Sequence, residues 1–177
     1  MITASLKRWA LLCLLPIFAA MAKGESVGII ITATGLTNSS GTALPDNRLV
    51  QLIANTAGQP FGTPTVSSFV SGSDVVLASF GLNSATTGVA GSFQIYLTID
   101  RSAFSGLSSG APLILRWFDI PYSAGQTAPG ATTYGQFRTG VVVDDSTSAW
   151  TLDFDGNNAS LNFITEAHGG SQLDTLG

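Results

Sequence analysis

Gly110-Ala-Pro-Leu-Ile-Leu-Arg-Trp-Phe-Asp119 is the stretch on which the reading of this chain turns. Side chains alternate across a strand, so Leu113, Leu115 and Trp117 share one side while Ile114, Arg116 and Phe118 share the other. Both sides are apolar, which predicts a strand covered on both faces. Trp117 is assigned to the core with its neighbours Leu113 and Leu115. Arg116 stands between two large apolar residues, where a cation must be paired or must carry its head group out to water. The expectation is a structural ion pair of Arg116 with a carboxylate such as Asp74 or Asp119, in preference to a ligand-gripping guanidinium. A Pro/Gly/Ser-rich loop follows from Ile120 to Thr132, and Tyr134-Gly-Gln-Phe-Arg-Thr139 resumes as a strand running to Val143.

Working outward, the same kind of pattern recurs. Ser26–Gly35, Arg48–Asn55 and Asp74–Phe80 read as strands, and Thr65–Val70 as a short edge strand bounded by Pro64 and Gly72. Ser92–Ile99 has the cleanest alternation, with Phe93, Ile95, Leu97 and Ile99 facing one way and Ser92, Gln94, Tyr96 and Thr98 the other. Arg101–Gly110 has room for a helical turn that Gly106 keeps short. Trp150–Phe154 and Ala159–Phe163 flank Asp155-Gly156-Asn157-Asn158, which predicts a closing hairpin. Eight or nine short strands separated by turn residues predict an all-β fold. The expected architecture is a single β-sandwich over residues 23–166, immunoglobulin-like or jelly-roll, with a closed barrel as the alternative. Composition agrees: charged residues make up 10% of the chain against roughly 25% in ordinary soluble domains. Only two Glu and two Lys occur, so good surface helix formers are scarce.

Residues 1–22 have the build of a signal peptide: Lys7 and Arg8, an apolar run from Trp9 to Ala19, and the small-residue pattern Ala20-Met21-Ala22. Without them 155 of the 177 residues remain, enough for one domain with its own core, and none is cysteine. An exported, disulfide-free chain of this size fits bacterial secretion or the periplasm. No membrane attachment is expected after cleavage, and residues 167–177 read as a loose polar tail. The remaining charges, five basic and eleven acidic, net −6 with no basic cluster, which argues against nucleic acid as a partner.

Candidate chemistry is thin. His168, the lone histidine, sits in the tail away from any nucleophile. Asp153 and Asp155 share one face of a strand at about the spacing glycosidases use, but lack an apolar pocket to raise one pKa. The same Asp153-Phe-Asp155-Gly-Asn157 segment resembles a calcium loop without its closing acid, and an ordinary turn accounts for it more simply. No cofactor, metal or catalytic residue is assigned. Trp117, Tyr122 and Tyr134 cluster around one loop, which makes Tyr122 and Tyr134 the candidate ligand surface.

Gly110-Ala-Pro-Leu-Ile-Leu-Arg-Trp-Phe and Tyr134-Gly-Gln-Phe-Arg-Thr, with Leu49-Val-Gln-Leu-Ile-Ala and Phe69-Val-Ser-Gly-Ser-Asp before them, resemble a group of exported bacterial β-rich proteins often associated with PEP-CTERM sorting. The resemblance spans most of residues 27–140 and carries no catalytic residues. The chain ends without the Pro-Glu-Pro signal, apolar helix and basic tip, so the resemblance implies release or noncovalent attachment. The leading expectation is a noncatalytic secreted or cell-envelope protein with a structural or adhesive role, partnered by extracellular polysaccharide or by copies of itself. A carbohydrate-binding module is the second expectation, and a glycoside hydrolase using Asp153 and Asp155 the third.

Overall fold

The computed structural model describes residues 26–58, 60–130, 133–137, 150–152, 160–164 and 174–175, the last two as backbone. The expected signal peptide and most of the tail lie outside these residues. The strands are β1 Ser26–Ala33, β2 Arg48–Asn55, β3 Asp74–Gly81, β4 Phe93–Asp100, β5 Ala111–Pro121, β6 Thr133–Phe137, β7 Thr151–Leu152, β8 Ser160–Ile164 and β9 Asp174–Thr175. Two single 3₁₀ turns, Ser84–Thr86 and Arg101–Ala103, are the helical elements among the described residues. The fold is all-β, as the turn-punctuated pattern predicts. No helix of the described residues is long and apolar enough to cross a membrane.

The strands form two sheets. One has the order β4-β1-β8; the other runs β3-β2-β5-β6-β9, with β7 added beside β5. Alternation decides what lies between them. From β1, Val27, Ile29, Ile31 and Ala33 point inward with Phe93 and Ile99 of β4. They meet Val50, Leu52 and Ala54 of β2 and Leu113, Leu115 and Trp117 of β5 in one continuous core. Each large apolar side chain so buried is worth about 1.5–3 kcal/mol, which makes this layer the main source of stability. Trp117 is fully buried, and its indole N–H donates to the carbonyl of Thr37 at 3.0 Å, so the polar end of the ring is satisfied. Gly135 lies opposite Trp117 in the β5–β6 ladder because the indole occupies the space a Cβ would need.

Three local expectations are corrected. Thr65–Val70 is not an edge strand: Thr65 and Ser68 bridge each other in a tight turn, and Phe69 then packs on Phe118 at 5.2 Å. Burial against the sheet offers Phe69 more than pairing at a sheet edge, and Pro64 has no N–H to begin a ladder. The closing hairpin is also absent as drawn. β7 pairs antiparallel with the start of β5, while β8 pairs parallel with β1 in the other sheet. An Asp-Gly turn marks where a chain bends but not which ladder receives the next strand. Trp150 and Leu152 are buried in the core as expected. Finally, β1, whose apolar residues on both faces predict burial on both sides, is covered on one face; on the other, Ile30 and Thr32 remain half-buried. Within the expected tail, Asp174 and Thr175 pair with Tyr134 and Thr133 of β6.

Two turns fix how neighbouring strands enter their sheets. Gly91 has φ +71°, and a Cβ there would collide with the carbonyl oxygen of Leu36, so the position excludes any side chain. Asn47, at φ +62°, takes its N–H to Leu82 and lends its carbonyl to Tyr122, tying the entry of β2 to the ends of β3 and β5.

Candidate functional site

The outer face of the larger sheet carries a row of polar residues set by register. Ser79 of β3 lies opposite Gln51 of β2, Gln51 opposite Arg116 of β5, and Arg116 opposite Gln136 of β6. Such a row would normally face water. Here the described residues between β2 and β3, 56–58 and 60–73, fold back over the sheet, and Gln51 and Arg116 are fully buried.

Arg116 is held by the cover. Its Nη1 donates to the carbonyl of Phe69 at 2.9 Å and its Nη2 to that of Gly62 at 2.9 Å. Nη2 also donates to Gln136 Oε1 at 2.9 Å, and the guanidinium carbon lies 5.2 Å from the centre of the Tyr134 ring. A planar, multiply donating guanidinium suits this task because it can face several carbonyls at once. Of the two carboxylates expected for Arg116, Asp119 pairs with Arg48 at 2.7 Å. Asp74 joins the Arg116 network through Gly62, whose N–H donates to Asp74 Oδ2 at 2.9 Å, while Asn55 Nδ2 donates to Oδ1 at 2.7 Å. Burial pushes the Asp74 carboxyl above its usual 3.8, against the lowering pull of Asn55, the Gly62 N–H and Arg116.

Beside this network a cleft of about 340 Å³ opens between Pro60–Thr63 of the covering loop and Ile114, Tyr134 and Gln136 of the sheet. Of the two tyrosines expected to form a ligand surface, Tyr134 is buried among Leu49, Phe69 and Phe118, and Tyr122 packs half-buried against the same cluster. The structure thus brings both tyrosines to one apolar cluster, and Tyr134 also lines the cleft.

The exposed aromatic is one that the loop-centred reading passes over. Tyr96 of β4 is 62% exposed. It lies on the polar side of the Ser92–Ile99 alternation, and that alternation was the signal that could have found it. Among the described residues no three His, Cys, Asp or Glu side chains come together as a metal site. Asp144, Asp145, Asp153, Asp155 and His168 lie outside the described residues.

The chain matches no family model, and comparison with curated proteins and with solved structures gives no match.

Proposed function

We propose that this is a noncatalytic protein of the bacterial cell surface or its surroundings, with a structural or adhesive role and with polysaccharide or further copies of itself as partners. The observation that carries the reading is the position of Arg116. This guanidinium, expected to be held within the fold in preference to gripping a ligand, donates to carbonyl oxygens of its own chain. Its function is therefore architectural, and recognition falls to the uncharged Ser, Thr, Asn and Gln side chains that dominate the surface. Polymers rich in hydroxyls are natural partners for such a surface, since neither side gives up a strongly hydrated charge on contact.

The architecture we favour is an immunoglobulin-like sandwich. The order β3-β2-β5-β6 opposite β4-β1 follows the arrangement in which a four-stranded C′-C-F-G sheet faces the B and E strands. The jelly-roll alternative does not account for this order as directly.

The full chain, expressed for export, tests the reading. It should appear outside the cytoplasm and either self-associate in size-exclusion chromatography with light scattering or be retained on cell-surface material. A monodisperse monomer that binds no surface material would overturn it.

A further inference from the structure

We infer that the outer face of the β4–β1 sheet is a platform for a neutral polysaccharide, centred on Tyr96. The inference rests on the adhesive reading and gives it a place and a ligand class. Three large hydrophobic side chains are exposed among the described residues, Val66, Val89 and Tyr96, and Tyr96 is the aromatic one.

Its exposure is organised by Gly28 of β1. A Cβ at Gly28 would stand 2.6 Å from the Tyr96 hydroxyl, 3.1 Å from Cε2 and 3.2 Å from Cζ. The tip of the phenol therefore leans over Gly28, in the space that glycine leaves open, while the residue stays 62% exposed. Because the ring already rests on backbone, binding would order little that is loose.

The surroundings match a sugar. Thr98 lies opposite Gly28, Ile30 opposite Tyr96, and Thr32 opposite Gln94. Gln94 Nε2 donates to Thr32 Oγ1 at 3.1 Å, which sets an amide and a hydroxyl on one side of the ring. β8 extends this sheet on the far side of β1. Hexoses with equatorial hydroxyls present a flat C–H face that packs on an aromatic ring, and their rim of hydroxyls meets amides and hydroxyls of this kind.

Charge and area narrow the occupant. On β4 the only charge of this face is Asp100 at its end, and β1 contributes none. An acidic polymer or nucleic acid would find no cation row to neutralise it. A stable protein partner needs roughly 800 Å² on each side with an apolar centre, far more than one ring on a strip of Thr and Gln supplies. A neutral β-linked hexose polymer fits, and repeated weak contacts along such a polymer would add up.

The test is affinity gel electrophoresis of the full chain through hydroxyethyl cellulose and mixed-linkage β-glucan, with alginate as the acidic comparison. The neutral polymers should retard the protein and alginate should not. Tyr96→Ala should weaken retardation at least tenfold, and Tyr96→Trp should keep it. Both variants should keep the wild-type unfolding midpoint, because the ring is outside the core. Three results would overturn the platform: no retardation of the wild type by either neutral polymer, equal retardation of Tyr96→Ala, or a change of oligomeric state in Tyr96→Ala that marks the face as a contact between copies. The adhesive reading fails separately, when the wild type neither self-associates nor stays on cell-surface material. Equal retention of wild type and Tyr96→Ala on that material would remove the platform and leave the adhesive reading standing.

Discussion

Arg116 reaches across the covering loop to Gly62, its Nη2 donating to the Gly62 carbonyl at 2.9 Å over a separation of 54 residues. The N–H of that same glycine points to Asp74. One peptide segment thus links the cation on β5 to the acid that starts β3, and the loop becomes a third layer over the sheet. Removing the guanidinium leaves the buried carbonyl of Phe69 and the half-buried one of Gly62 without this donor.

Arg116→Ala should therefore destabilise the chain by about 2–5 kcal/mol, at about 1–3 kcal/mol for each carbonyl left without its donor. Arg116→Lys should recover only part, since an ammonium cannot face the same set of acceptors. Urea unfolding measures both. A loss below about 1 kcal/mol for the alanine variant would show that the network holds little.

Asp74 should give an unusual pH dependence. Its carboxyl is raised above 3.8 in the folded chain, chiefly by burial, so the native state binds the proton more tightly than the unfolded state. Stability from this group is full below 3.8 and declines as pH rises through the folded pKa. Asp100 has the opposite sign: its carboxylate, held low by Ser102, contributes above 3.8 and is lost as pH falls below that value. The two windows lie on opposite sides of 3.8. Asp74→Asn should flatten the stability profile on the upper side only, as thermal unfolding at a series of pH values would read. An unchanged slope there would contradict the assignment.

Gly135→Ala places a methyl group where the Trp117 indole already sits. Overpacking of this kind costs about 1–3 kcal/mol, and the displaced ring should also shift its fluorescence emission. Chemical denaturation followed by tryptophan emission checks both effects in one experiment. Wild-type stability would mean that the ring can move aside without loss.

The Arg48–Asp119 pair provides the contrast. Its side chains are 28% and 30% exposed, so solvent and salt screen it. Asp119→Asn should cost no more than about 1 kcal/mol, and the difference should shrink in high salt. A loss as large as that of Arg116→Ala would mean that the pair is less accessible to solvent than its exposure indicates.

Much of this arrangement is legible in the sequence. The strand periods of β1, β2, β4 and β5, the burial of Trp117 and the conflict around Arg116 all follow from alternation along single segments. The covering loop was not legible, because nothing local distinguishes a Phe69 that pairs at an edge from one that packs on Phe118. Tyr134 is adjacent to a polar loop in sequence yet is buried by residues 69 and 118 in space.

Sequence by itself determined which residues alternate, where the chain turns, and that so few charges must serve so much surface. These are properties of neighbours along the chain, and steric and hydrophobic preferences act on them directly. Tertiary structure decided which strand lies beside which, that Arg116 is held by backbone carbonyls from residues 62 and 69, and that Tyr96 rests in the space Gly28 leaves. Those outcomes depend on atoms far apart in sequence competing for one volume, and only the folded chain resolves that competition.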